Sequence, residues 1–500
     1  MHEGASSAIK WNGKISDQLK VLQGVRQGGI LSTDLYKLCV NPLLDRLTSS
    51  NIGLKIGNVV CNTSACADDI ALMSRNEVDM QIQINMSNDF AGMEGYRLQP
   101  QKSVSIQIKP KSTKMASAPV EYTLGKDQMP NVERAVHLGI IRTTCALNNI
   151  KENVDENMKK AIRSAYALFG CGFHGENGLD SETMMHLFKT YITPVLLYGM
   201  EVLIPKGKYL EQLNKFQKKM IKKLLSISSN TPDPAIYILT GLLPIEAQIH
   251  IRALTLFGNV CRQDEACIEK QLAKRQVRAQ SMNSNSWFIE IQAIMYKYNL
   301  GDALYWIENP MKKEQAMKVI KKEVSDYWSK YIQDMAILYQ GLRYRYLDFN
   351  NYTPGKLHKL LTLKCKSGGD RHRIPIKLKM LTGSYILQSP RHKIFNEGTD
   401  SLCMACNSDD ETLENMILHY KAWSKTREQI LPAIARLLAE GENVIWSGLD
   451  DRDKMQILMD ITKTYQSLKI NIKPTTEVEF HARRLLYRIH TERYRMLITK

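Results

Sequence analysis

The stretch "SACADDIALMS", from Ser64 to Ser74, places two adjacent carboxylates, Asp68 and Asp69, between two short apolar runs. The flanking runs predict two strands joined by a tight turn that holds Ala67, Asp68 and Asp69. Neighbouring carboxylates repel each other, so such a pair lies on a solvated turn or faces a cation. Taken alone, the motif favours the solvated turn, because paired aspartates are common in surface turns.

The composition favours a polyanionic partner. The 500 residues are enough for two to four domains, and a hydrophobic content of 44% is ample for a core. Lys plus Arg number 68 against 51 for Asp plus Glu, a net charge of +17 that favours nucleic acid, although a basic surface also serves solubility. No apolar run approaches the roughly 20 residues of a membrane span. With no signal peptide and too few cysteines for a disulfide scaffold, the sequence predicts an intracellular protein of the nucleus or cytoplasm.

The N-terminal third predicts a mixture of strands and helices. Asn12 and Gly13 form a two-residue hairpin signal of type I′. The remaining predicted elements are a helix with Ser32 as its N-cap, a helix that ends at Gly95, a strand "SVSIQIK" at residues 103–109, and one hairpin between Pro119 and Ile141.

Helical periodicity dominates from about Asn149 to the C-terminus, and this change marks the main predicted domain boundary. There is no repeat at a fixed period. Trp306, Trp328 and Trp423 are expected to be core anchors of the helical region, because the aromatic residues form no regular stacking stripe.

Several motifs follow one another in order: "GVRQGGILST", "ADDIAL", "LQPQKSVSI" and "VHLGI". This succession resembles the palm of reverse transcriptases of non-LTR (LINE-like) retrotransposons. Downstream, "KTYITPVLLYGMEVLIP" and "LNKFQKKMIKKLL" resemble the thumb, and "LCMACNSDDETLENMILHYKAW" is similar to the C-terminal cysteine-rich knuckle.

The resemblance implies an α+β fold, with a partial right-hand polymerase palm of antiparallel strands and helices before a mostly α-helical thumb and C-terminal region. Its implied domains are a partial palm (1–148), a thumb-like domain (149–265), a helical C-terminal region (266–400), a degenerate knuckle (401–430) and a basic helical tail (431–500).

The resemblance also implies a function, RNA-directed DNA polymerisation with Mg²⁺, dNTPs, an RNA template and a DNA target. Asp68 matches the principal metal ligand and Asp69 its neighbour. Roles are further implied for Gln27 and Gly28 near the incoming nucleotide, Lys102 as a proton donor near its phosphates, and His137, Leu138 and Gly139 in the primer-grip turn. The plain alternatives are a strand-to-helix turn at Gln27 and a solvated lysine at Lys102.

The chain departs from the family pattern in two respects that bear on activity. The family needs a third carboxylate, on a strand upstream of the glutamine-glycine turn, as well as the fingers. The sequence begins shortly before Gln27, and Asp17 lies in the predicted hairpin, where it does not replace the missing ligand. The expectation is an N-terminally truncated element that is inactive as this chain. The alternative is a catalytically dead, nucleic-acid-binding remnant.

One predicted helix carries a basic face. In "LNKFQKKMIKKLL" the lysines fall at helical spacing opposite an apolar stripe of Leu213, Phe216, Met220 and Leu224. Such a face can follow a phosphate backbone with salt-dependent affinity, and the alternative is a solvated surface. The lysines are Lys215, Lys218, Lys219, Lys222 and Lys223.

The C-terminal cysteines form half of a zinc site. Cys403 and Cys406 have the spacing of a ligand pair, but the His and Cys of the family pattern fall on Asn415 and Tyr420. His419 is the nearest substitute ligand, so the sequence predicts a weakened or lost knuckle and makes Zn²⁺ doubtful. The terminal "YRIHTERYRMLITK" is either a nucleic-acid contact or a plain amphipathic helix.

Overall fold

The computed structural model describes residues 6–21, 24–25, 28–108, 120–174, 179–338, 346–347, 352–393, 401–403, 409–442, 444–468 and 472–499. The chain divides into two compact units. The first unit comprises Met1–Glu152 and Gln263–Ser281, and the second comprises Asn153–Arg262 and Met282–Lys500. The finer division into five domains remains a prediction.

Within its described residues, the first unit combines short strands with helices. Its strands are β1 (Ser6–Ser7), β2 (Lys10–Trp11), β3 (Lys14–Ile15), β4 (Leu19–Lys20), β5 (Lys55–Ile56), β6 (Val59–Val60), β7 (Thr63–Cys66), β8 (Asp69–Leu72), β9 (Tyr122–Leu124), β10 (Asp127–Met129), β11 (Arg134–His137) and β12 (Ile140–Thr143). Its helices are α1 (Ser32–Ser49), α2 (Glu77–Met93) and α10 (Ile268–Ala279), and α3 (Ala146–Gly170) begins within its range.

The described strands pair antiparallel in separate two-stranded sheets, β1 with β4 and each other strand with its neighbour. The hairpin of β2 and β3 confirms the type I′ prediction, because Asn12 and Gly13 both have positive φ, +46° and +79°. The helix that was predicted to end at Gly95 is also confirmed, since α2 ends at Met93 and Gly95 has a φ of +74°.

Three local predictions were wrong. Leu31, not Ser32, is the N-cap of α1, and it has no side-chain capping bond, so Ser32 is the first helical residue. In "SVSIQIK" the described residues make one isolated parallel bridge, Ser105 with Asn131, because its alternating pattern finds no partner strand. The single hairpin predicted to end at Ile141 is two hairpins, β9–β10 and β11–β12; Pro119 lies outside the described residues.

The core of the first unit lies between α1 and α2. Leu43 and Leu47 of α1 meet Phe90 of α2, and the partly buried side chains of Ile70 and Leu72 pack against this cluster. The same strand therefore contributes to the core and begins with Asp69. This packing fixes β8 on the surface of the two helices.

The second unit is helical. Besides the rest of α3, its helices are α4 (Ser181–Leu187), α5 (Thr193–Leu196), α6 (Met200–Leu203), α7 (Gly207–Leu224), α8 (Asp233–Thr240), α9 (Ile245–Cys261), α11 (Trp287–Lys297), α12 (Ala303–Glu308), α13 (Lys313–Leu338), α14 (Lys359–Thr362), α15 (Gly368–Arg371), α16 (Ile374–Leu381), α17 (Gln388–Lys393), α18 (Ser424–Glu442), α19 (Asp451–Leu468) and α20 (Ile472–Thr499). Single turns of π or 3₁₀ helix lie at Phe188–Ile192, Asn415–His419, Lys421–Trp423 and Trp446–Gly448.

Two helices organise this unit. α9 is buried along most of its length and packs against α7 and α13, whereas α20 packs against α16, α18 and α19. Trp306, Trp328 and Trp423 are buried, which confirms their prediction as core anchors. No single described helix is apolar and long enough to cross a bilayer, and only the bent pair of α8 and α9 has the needed length and composition when taken together.

The mixture of short antiparallel strand pairs and helices confirms the predicted α+β class, with a partial palm followed by a helical region.

Candidate functional site

The paired aspartates lie on a tight hairpin. β7 and β8 pair antiparallel, from Thr63 opposite Leu72 to Cys66 opposite Asp69. Ala67 and Asp68 form the two-residue connection, and Ala67 has a φ of +52°, a left-handed conformation that costs a non-glycine residue energy. Asp69 is thus the first residue of β8 rather than part of the turn, and the two carboxylates stand next to each other at the tip.

The hairpin has an inner and an outer face. Side chains alternate along a strand, so Ile70 and Leu72 pack on the core while Asp69 points the other way. Asp68 and Asp69 are exposed, and within the described residues neither makes an ion pair or a side-chain hydrogen bond. The fold therefore presents two unneutralised carboxylates to solvent.

Asp68 acts electrostatically on α1. Burial raises the pKa of the Tyr36 hydroxyl, and the charge of Asp68 raises it further, followed by Cys39. Tyr36 stands one turn into α1, the helix that follows the predicted Gln27–Gly28 turn. Sequence reasoning missed Tyr36 because its place beside Asp68 depends on how the hairpin packs on the helix.

The other predicted palm residues lie on turns. Gly28 is exposed with a φ of +78°, which only glycine adopts readily, and Gln27 lies outside the described residues. Lys102 is exposed on a turn where its backbone N–H donates to the Gln99 carbonyl at 3.1 Å. In the part of the chain that is described, Lys102 makes no ion pair with Asp68 or Asp69.

The predicted primer-grip residues form the tip of the β11–β12 hairpin. His137 pairs with Ile140, and Leu138 and Gly139 between them have φ values of +49° and +74°, as a type I′ turn requires. The Nε2 atom of His137 is buried, and it has no hydrogen-bond partner among the described groups. The structure thus places a tight turn at Leu138 and Gly139. The role of this turn with a primer remains a proposal.

The chemistry of Asp68 and Asp69 suits a divalent metal. Mg²⁺ prefers oxygen ligands and is commonly held by one or two carboxylates together with water and substrate phosphates. Two exposed carboxylates without partners fit part of such a shell. Among the described residues, no three His, Cys, Asp or Glu side chains form a group that could hold a metal ion.

The five lysines of α7 differ in their surroundings. Lys215, Lys219 and Lys223 are exposed, whereas Lys218 lies 2.6 Å and Lys222 lies 3.6 Å from the carboxylate of Asp233. Their apolar stripe is buried, as predicted. The structure therefore leaves a narrower basic face than the sequence indicated, because Asp233, fifteen residues after Lys218, neutralises one edge of it.

The exposed lysines themselves have local partners in two of three cases. Lys215 lies 2.6 Å from Glu211, and its hydrogen bond lowers the pKa of that carboxyl. Lys223 donates to the Tyr166 hydroxyl at 2.7 Å. Both contacts are solvent-exposed, so a phosphate can compete with them at small cost.

The knuckle segment is held by hydrogen bonds. Asn415 and Tyr420, at the family's His and Cys positions, donate to the same carbonyl oxygen of Asp410, at 3.2 and 2.7 Å. The Nε2 atom of His419 lies 2.7 Å from Asp451. Cys403 is buried, and Cys406 lies outside the described residues. Of the described candidate ligands, His419 is thus hydrogen-bonded to a carboxylate, while the side chains of Asn415 and Tyr420 bind the backbone.

Comparisons with known proteins match part of the first unit to a known family. Residues 5–125 match the model of the family "Reverse transcriptase (RNA-dependent DNA polymerase)". The match contains the Asp68–Asp69 hairpin, Gly28 and Lys102.

The relatives belong to retrotransposable elements. The chain is 30% identical over 135 residues to the Pol polyprotein from the type-2 retrotransposable element R2DM of Drosophila melanogaster. This aligned region covers 27% of the chain and 13% of the relative. It is 24% identical over 228 residues to a Pol polyprotein from the type-1 retrotransposable element R2 of Popillia japonica, and this region covers 45% of the chain and 31% of the relative. A third relative, the Pol polyprotein from the type-1 retrotransposable element R2 of Bradysia coprophila, is 21% identical over 243 residues, and this region covers 47% of the chain and 26% of the relative.

These findings confirm the resemblance to non-LTR retrotransposon reverse transcriptases. The chain spans less than a third of the length of these relatives. Reverse transcriptases generally use a divalent metal such as Mg²⁺, a nucleic-acid template and dNTPs. The roles of individual residues in this chain are proposed below.

Proposed function

We propose that this chain provides part of an RNA-directed DNA polymerase of a non-LTR retrotransposon, with Asp68 as the principal Mg²⁺ ligand and Asp69 beside it. The observation that carries the proposal is the exposed pair of unpartnered carboxylates on a hairpin inside the reverse transcriptase domain. When bound, a divalent metal stabilises the attacking and leaving oxygens of nucleotidyl transfer. The hairpin supplies carboxylate oxygens and holds them at a fixed position on the α1–α2 core.

The remaining palm residues have proposed roles around this hairpin. Gln27 and Gly28 adjoin the incoming nucleotide, Lys102 approaches its phosphates as a proton donor, and the His137–Gly139 turn supports the primer end. Exposure of Gly28 and Lys102, and the sharp turn at Leu138 and Gly139, are compatible with these roles. RNA template, DNA target and dNTPs are the proposed partners.

The 500-residue chain on its own is proposed to be inactive. Polymerisation depends on positioning the metals, and no third carboxylate joins Asp68 and Asp69 among the described residues. The test is incubation with a primed RNA template, dNTPs and Mg²⁺. We expect no primer extension; extension that Asp68→Ala abolishes, while Asp127→Ala on the neighbouring hairpin β9–β10 leaves it intact, would overturn the proposed inactivity and establish the polymerase.

The second candidate function is nucleic-acid binding without catalysis. The exposed lysines of α7, Lys215, Lys219 and Lys223, favour it. Each neutralised phosphate adds about one to the slope of log affinity against log salt. Changing these three lysines to Gln is therefore expected to weaken DNA binding and to lower the salt slope.

A matched control removes the same charge elsewhere in the second unit. Lys313, Lys321 and Lys330 are exposed on α13, and their change to Gln also removes three positive charges. If both triple variants lose affinity equally, net charge rather than the α7 face is responsible.

A further inference from the structure

A basic cavity lies in the second unit. It has a volume of about 370 Å³, within the roughly 300–1,000 Å³ range of small-ligand pockets. None of its lining side chains is acidic, and three are lysines. The lining residues are Phe169, His174, Lys222, Lys223, Ser226, Ile227 and Lys379.

The basic residues come from three segments that are distant in the sequence. His174 follows the end of α3, Lys222 and Lys223 stand in the last turn of α7, and Lys379 lies on α16. The sequence indicates a basic α7 but gives no sign that Lys379 joins it. The fold thus extends the charge of α7 into a concave site.

The charges in the cavity are only partly compensated. Lys222 donates to the Ser229 carbonyl at 2.7 Å and has Asp233 at 3.6 Å, while Lys223 donates to the neutral hydroxyl of Tyr166. In the described part of the chain, Lys379 makes no ion pair, and neither does His174. Burial lowers the pKa of Lys222, and the nearby Asp233 opposes this shift without cancelling it.

The geometry fits a phosphate better than a carboxylate. Lysine acts on phosphate as a point charge from any direction, and three lysines around one hollow match the several charged oxygens of a phosphate better than the two oxygens of a carboxylate. Several ammonium groups and the Ser226 hydroxyl around one hollow can donate to several phosphate oxygens at once. Phe169 and Ile227 provide an apolar wall for the rest of a ligand.

We propose that this cavity binds a phosphate group of a nucleic acid, held by Lys222, Lys223 and Lys379. The inference rests on the proposed binding of nucleic acid by the α7 surface and adds a defined phosphate site to it. It is independent of polymerisation and of Asp68. The phosphate belongs either to a strand terminus or to an internal phosphodiester, and the experiment separates these two sources.

The test measures fluorescence anisotropy of the full chain with three DNA single strands of one sequence, carrying a 5′-phosphate, a 3′-phosphate or no terminal phosphate. Lys379→Gln is the key variant, Lys379→Arg retains the charge, and Lys321→Gln is the matched control on α13. Circular dichroism verifies that each variant is folded.

We expect Lys379→Gln to weaken binding about tenfold, as loss of one charge-assisted hydrogen bond predicts. Lys379→Arg should bind nearly as the wild type, and Lys321→Gln should change affinity less than about twofold. If Lys379→Gln loses affinity for only one of the phosphorylated strands, the cavity binds the terminal phosphate of that strand. If it loses affinity equally for all three strands, the cavity binds an internal phosphate.

Equal affinities of Lys379→Gln and Lys321→Gln, in a protein that binds DNA, would overturn the phosphate site while leaving the nucleic-acid proposal intact. Absence of DNA binding by the wild type would overturn both. Failure of the polymerase proposal alone would leave these results unchanged, because Asp68 takes no part in them.

Discussion

The pH dependence of stability in the second unit can be predicted from the buried His250. Its Nδ1 atom lies 2.8 Å from the Tyr298 hydroxyl, which also accepts the indole N–H of Trp328 at 3.0 Å. A hydroxyl has one hydrogen and two lone pairs, so the Tyr298 hydroxyl can accept from Trp328 and still donate to a neutral Nδ1. Burial, together with the charges of Lys297 and Lys206, lowers the pKa of His250 to about 3.

The stability of the fold decreases at low pH because the unfolded chain binds more protons than the folded chain. Below the unfolded pKa of about 6.5 the unfolded chain protonates at His250 and the folded chain does not, so stability falls as pH falls. The loss starts near pH 6.5 and levels off near pH 3, where the folded state also protonates. Between pH 7 and pH 5, this single group is expected to cost about 2 kcal/mol.

The assay is urea unfolding followed by tryptophan fluorescence, since Trp287, Trp306, Trp328, Trp423 and Trp446 all lie in the second unit. His250→Gln removes the titrating group, so the wild type should lose about 2 kcal/mol more than this variant between pH 7 and pH 5.

The control is His186→Gln, which removes an exposed histidine of α4 and should retain the wild-type pH dependence. Identical pH dependence in the wild type and His250→Gln would refute the conclusion that folding keeps His250 neutral.

Three further perturbations have defined outcomes. Lys377→Met removes the nearest partner of the buried Glu479 carboxylate and leaves it Arg483 at 3.9 Å, so it should cost about 3–5 kcal/mol by urea unfolding, much of it recovered when Glu479→Leu is added; no recovery would contradict the pairing. Gly241→Ala should destabilise far more than Gly301→Ala, although both have positive φ, because a Cβ on Gly241 would lie 1.9 Å from a backbone carbonyl oxygen whereas Gly301 has open space; equal losses would contradict this. Metal analysis of protein purified without added zinc should find far less than one zinc per chain, and about one zinc, lost in Cys403→Ser, would show a working knuckle.

Local signals in the sequence were sufficient for much of the first unit. Asn12-Gly13 predicted its hairpin because few residues adopt two successive positive φ values. The apolar runs around Asp68 predicted β7 and β8, and the order of motifs predicted a reverse transcriptase domain. The strand predicted at residues 103–109 was wrong because alternation shows which residues suit a strand but not whether a partner lies beside it.

Long-range contacts account for what the sequence did not show. Lys218 and Lys222 were predicted to face solvent with the rest of α7, but Asp233 reaches them from the start of α8. Lys379 joins the same surface from a helix far along the chain. The exposure of a lysine depends on which distant element packs beside it, and helical spacing alone carries no information on that.

The central claim, that Asp68 is a metal ligand in a reverse transcriptase domain, is tested most directly by iron-mediated cleavage. Fe²⁺ takes the place of Mg²⁺ and, with ascorbate and peroxide, generates radicals that cut the nearby backbone. We predict cleavage around residues 63–72, suppressed by excess Mg²⁺, lost in Asp68→Asn and retained in Asp127→Asn. Absence of cleavage at this hairpin, or cleavage that Asp68→Asn leaves unchanged, would contradict the account.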